Sequence, residues 1–149
     1  MTDAFRSDRV AYSESVSSIY ETLREDSGSV EVSPFKTFKD VFMFSVFLGF
    51  KKGVRQKLPP GPKKTIRLEV FTREDQDLLR AVALAEAGSP EILRSLSEVI
   101  TIVEEYAHSG IYDVQTELLE KGGKTLWNLI EMVSTEIIKN DSVHRDGVY

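Results

Sequence analysis

Six of the chain's eight phenylalanines, Phe35, Phe38, Phe42, Phe44, Phe47 and Phe50, fall within one stretch of sixteen residues. From Val41 to Phe50 apolar side chains go all the way round a helical projection, interrupted only by Ser45 and Gly49. A helix with no polar face has to be enclosed by other elements. Thr37 is placed to cap its N-terminus, and Asp40 sits in the first turn, where the helix dipole favours an anion. The uncharged run is about half of the ~20 residues that a membrane span requires. It therefore reads as the central helix of a bundle.

The flanking sequence supplies the rest of that bundle. Tyr12, Val16, Ile19, Tyr20 and Leu23 form one apolar stripe and predict a helix over 13–25. Val30-Glu31-Val32 could be a short extended piece, and Ile66, Leu68 and Val70 alternate with charges as in a half-buried strand. Thr72 followed by Glu74 and Asp75 caps a helix that Gly88 ends, with Leu78, Leu79, Val82, Ala83 and Ala85 as its buried stripe. Ser89-Pro90-Glu91 starts another, whose stripe runs from Ile92 to Ala107 and ends near Gly110. A shorter helix fits 111–121, Gly122-Gly123 breaks it, and Leu126, Ile130, Val133 and Ile137 define the last helix. The fold class expected is mainly α: a compact bundle of five to six helices around the Phe-rich helix, with at most a short two-stranded element. Length fits a single helical domain over 1–149, with residues 1–11 and 140–149 as frayed tails.

Charge is distributed unevenly. Nineteen basic and 24 acidic residues give −5, yet no acid lies between Asp40 and Glu69. That window holds Lys51, Lys52, Arg55, Lys57, Lys63, Lys64 and Arg67, which leaves 12 basic against 24 acidic elsewhere. With Gly53 and Pro59-Pro60-Gly61-Pro62 in it, the stretch 51–65 reads as a basic loop. These seven residues are the candidate site for binding DNA phosphates or an acidic partner.

Catalytic motifs are weak by comparison. With no cysteine, thiol catalysis, Cys-ligated zinc and disulfide scaffolding are excluded. Gly122-Gly123-Lys124-Thr125 resembles the end of a phosphate-binding loop, but Leu118 stands where that motif needs glycine. Glu104 and His108 have the helical spacing of a metal clamp, with Asp113 as the nearest further ligand, one short of a site. No cofactor, metal or catalytic residue is assigned.

One order of segments is familiar. Pro34-Phe35-Lys36-Thr37-Phe38-Lys39-Asp40-Val41-Phe42 runs into Leu48-Gly49-Phe50-Lys51-Lys52-Gly53. Ile66 to Phe71, Leu84-Ala85-Glu86 and Val103-Glu104-Glu105-Tyr106-Ala107-His108-Ser109-Gly110 follow. Over roughly Ser33 to Ile111 this resembles the Dnd system-associated protein 4 family, encoded beside bacterial DNA phosphorothioation systems. The resemblance implies an accessory to the restriction arm of such a system, with no catalytic residues to carry over. His108-Ser109 departs from the family's commoner Asn-Gly at that turn.

The resulting expectation is a cytoplasmic, non-enzymatic accessory protein of a phosphorothioation-linked restriction or antiphage system. It would contact the DNA backbone or a larger defence-system protein through the basic loop, and no membrane. Glu104, Glu105, Tyr106 and His108 form a second candidate, an interaction turn. Two alternatives stay open: an interaction or homo-oligomeric subunit without DNA contact, and, less favoured, a small metal-dependent nuclease using Glu104 and Glu105.

Overall fold

The structure, a computed structural model, describes residues 8–24, 30–31 and 33–146, with side chains described as far as Lys139. In chain order it contains β1 (Arg9–Ser13), α1 (Ser17–Leu23), α2 (Phe38–Lys52), β2 (Lys63–Arg67), α3 (Arg73–Ala87), α4 (Leu96–Val114) and α5 (Thr125–Asp146). The protein is mainly α with one small antiparallel sheet, β1 against β2.

The Phe-rich helix α2 starts where its cap predicts, the Thr37 hydroxyl accepting from the Asp40 N–H at 3.2 Å. It ends on Gly53, whose positive φ of 74° lets its N–H turn back to the carbonyls of Gly49 and Phe50. Val41, Phe42, Met43 and Val46 are buried, whereas Phe47 and Phe50 are each 37% exposed, so α2 is less enclosed than its composition suggests. Its main partner is α4. The two cross so closely that a Cβ on Gly49 would lie 2.0 Å from the Tyr106 carbonyl oxygen, and one on Gly110 1.8 Å from that of Ser45. Two glycines are what permit the crossing.

That contact explains a first correction. Gly110 does not end a helix; α4 continues to Val114 and passes into a π-helical turn over Gln115–Leu119, absorbing the shorter helix expected there. Ser89-Pro90 opens a 3₁₀ segment, Pro90–Arg94, and a second cap at Ser95 starts α4, its hydroxyl accepting from Glu98 N–H at 3.3 Å. In α3 the capping box is complete, between Thr72 and Asp75. Leu79, Val82 and Ala83 face the core, while Leu78 and Ala85 do not.

Residues 9–11 and 140–146 depart from the expected frayed tails. Arg9–Ser13 is strand, followed by a 3₁₀ turn, Glu14–Val16, so among the described residues of the first predicted helix Ser17–Leu23 is α-helical. Val10 and Tyr12 alternate inward; Tyr12 stacks on Tyr20 at 4.0 Å, and Phe38 meets both rings edge-on. At the other end α5 runs to Asp146, past the expected start of the tail. Val30 and Glu31 form a turn, and Val32 of that expected strand lies outside the described residues, as do residues 1–7 and 147–149 of the tails. No helix among the described residues is long and apolar enough to cross a membrane.

Candidate interaction site

The basic window spans three kinds of structure. Lys51 and Lys52 form the last turn of α2, residues 53–62 are irregular, and Lys63 begins β2. The irregular loop is thus narrower than the expected 51–65.

Four of the seven cations are engaged by carboxylates. Lys51 pairs with Glu136 of α5, and Lys52 with Asp113 of α4 at 2.7 Å. Both cations also lie at the helix C-terminus, where the dipole favours them. They line one side of a groove of about 390 Å³ between α2 and α5. Arg55 bridges two helices, reaching Glu86 of α3 at 3.0 Å and Glu105 of α4 at 2.9 Å. Arg67 meets Glu69 at 3.3 Å on an exposed surface. Lys57, Lys63 and Lys64 are exposed and have no carboxylate partner among the described residues; the Lys63 ammonium donates to the Gly61 carbonyl at 3.3 Å.

Arg55 belongs to a network that anchors the irregular segment. The Tyr106 hydroxyl donates to Glu86, and Phe50 packs edge-on against the Tyr106 ring at 5.6 Å. The bonds from Tyr106 and Arg55 hold the Glu86 carboxyl below its ordinary range. Burial and the Glu86 bond push the Tyr106 hydroxyl up to about 12. Burial works against the Arg55 charge, but its bonds to Glu86 and Glu105 outweigh that and raise its pKa. The Gln56 N–H donates to the Glu105 carbonyl at 3.1 Å, and at the far end the Glu14 N–H donates to the Pro62 carbonyl at 3.1 Å. Residues 57–61 therefore leave and re-enter the body at two tied points.

The predicted interaction turn is not a turn. Glu104, Glu105, Tyr106 and His108 all lie within α4. Glu104 is buried and its carboxylate accepts from the Ala11 N–H of β1 at 2.6 Å. His108 is buried too, its ring edge-on to Tyr112 at 5.3 Å, and desolvation lowers its pKa. Its Nδ1 and the neighbouring Ser109 hydroxyl have no hydrogen-bond partner among the described residues. Among the described residues no three His, Asp or Glu side chains are grouped to hold a metal. Glu86 was missed as part of the site, since it lies 31 residues from Arg55.

The sheet adds a feature that a basic loop alone lacks. Arg9 pairs with Arg67, Val10 with Ile66, Ala11 with Thr65, Tyr12 with Lys64 and Ser13 with Lys63. The Leu68 N–H bonds to the Asp8 carbonyl and the Glu14 N–H to that of Pro62, so even-numbered residues bond across the ladder. The N–H and C=O groups of Lys63, Thr65 and Arg67 therefore point away from β1, at exposed residues. On the opposite edge, the outward N–H of Ala11 is taken by Glu104.

Fold and site together define a small helical module with a two-stranded sheet, one edge of which is basic and, among the described residues, open. Over residues 9–146 the chain matches the family described as DNA sulphur modification system-associated protein 4, and it belongs to that family. No curated protein and no solved structure matches it.

Proposed function

We propose that the chain is a non-enzymatic accessory protein of a bacterial DNA sulphur modification system, serving its restriction or antiphage arm in the cytoplasm. In this reading it docks an acidic partner through residues 57–67. The observation that carries it is the set Lys57, Lys63 and Lys64: three exposed cations without carboxylate partners among the described residues, on a segment tied to the body at both ends. An anchored segment loses less conformational freedom on binding than a free loop.

An acidic protein surface suits this set better than duplex DNA. Seven phosphate contacts would give a slope of log affinity against log salt of about −6, whereas three give about −3 and weak binding. Glu104 and Glu105 are occupied by the Ala11 N–H and by Arg55, which disfavours a nuclease reading. The test is the triple variant Lys57→Glu, Lys63→Glu, Lys64→Glu, co-expressed with the other proteins of the system. Loss of co-purification is expected; unchanged co-purification and unchanged DNA affinity would overturn the reading.

A second reading, a homo-oligomeric subunit, draws on α5. Trp127, Ile130, Val133, Ile137 and Ile138 are each at least 42% exposed there. An apolar helix face of that extent on a monomer marks an interaction surface. Light scattering on the purified chain separates a dimer from a monomer that needs another partner.

A further inference from the structure

We propose that β2 captures an extended acidic segment of a partner by strand addition at its outer edge. The proposal rests on the reading of the basic segment as the docking surface, and specifies how that surface is used.

Among the described residues the sheet has two strands, so each has an outer edge. On β1 that edge is closed where the buried Glu104 carboxylate takes the Ala11 N–H. On β2 it is open among the described residues: pairing parity turns the N–H and C=O groups of Lys63 and Thr65 and the N–H of Arg67 outward, the Arg67 carbonyl being taken by the 3₁₀ turn Leu68–Val70, and all three residues are exposed. Ile66, one position inside, is buried and holds the strand to the core, as do its ladder partner Val10 and the neighbouring Tyr12. The edge is thus rigidly presented, and a partner strand finds its bonding groups already in register.

Charge selects the occupant. Lys63 and Lys64 lie on the strand, Arg67 ends it, and Lys57 lies on the segment leading to it. Two copies of this edge would repel each other, as lysines on edge strands commonly ensure. A strand rich in Glu or Asp gains both the ladder bonds and opposite-charge cross-strand pairs. The same cations therefore reject self-pairing and admit an acidic partner.

Thr65 offers a test that leaves every charge in place. Its N–H faces outward, so Thr65→Pro removes no bond to β1 but blocks the added strand, and Lys64 before it is already extended. The probe is a capped synthetic peptide alternating Glu with Thr, titrated into the isotope-labelled full chain and followed by amide chemical shifts. Shifts concentrated at Lys63, Thr65 and Arg67, and an affinity about tenfold weaker in Thr65→Pro, are expected. The same peptide N-methylated at alternate residues should bind about tenfold more weakly to the unaltered chain, which serves even if Thr65→Pro unfolds. Equal binding by the methylated peptide, or by a folded Thr65→Pro, overturns strand addition. If the triple Lys→Glu variant still loses the peptide in that case, electrostatic docking stands without the added strand. If no variant changes binding, both fall.

Discussion

Gly49 and Gly110 occupy positions where any side chain would collide with the facing helix backbone. Alanine at Gly110 would put its Cβ 1.8 Å from the Ser45 carbonyl oxygen, and backbone on both sides leaves no flexible group to yield. Gly110→Ala should therefore force α2 and α4 apart and cost about 3 kcal/mol. For a chain of this size that lowers Tm by about 10 °C. Gly53 has a positive φ of 74° but open space around it, so Gly53→Ala should cost only about 1 kcal/mol of backbone strain. Thermal melts of the two variants check the contrast; equal losses would show that the crossing does not depend on glycine.

At the scale of elements, Arg55 joins α3 and α4 and fixes the exit from α2. Replacing it with alanine should leave the helices folded, because a partly exposed ion pair contributes little to global stability. It should instead release the irregular segment, seen as faster hydrogen exchange at the Gln56 amide, which donates to Glu105, with protection inside α2 unchanged. Local signals were legible in the sequence: the caps at Thr37 and Thr72 and the stop at Gly88 need only neighbouring residues. β1 was not, because Tyr12 and Val16 fall four apart and extend a genuine helical stripe backwards into the strand. Gly110 was misread because a glycine that ends a helix and one that admits a neighbouring backbone look alike in sequence. Which cations remain without carboxylates was beyond reach, since Glu86 and Glu105 lie 31 and 50 residues from Arg55.

For the molecule as a whole, burial of His108 ties stability to pH. Desolvation holds its pKa below the ordinary value of 6.5. As pH falls the unfolded chain takes up this proton first, so stability complete above about 6.5 declines below it until the folded imidazole titrates as well. Glu86, held low by its bonds to Tyr106 and Arg55, acts in a lower window, its contribution present above 4.5 and lost as pH falls through its folded value. His108→Leu should therefore flatten the fall of Tm that sets in just below pH 6.5 while leaving the loss in the carboxylate range. An unchanged slope just below pH 6.5 would place the acid sensitivity elsewhere. The apolar face of α5 carries a further consequence: its Trp127 is the chain's one tryptophan and is 58% exposed. The molecule thus carries an optical reporter on α5 and none at the β2 edge. Covering α5 would shift the emission to the blue, while a strand added at β2 would leave the spectrum unchanged.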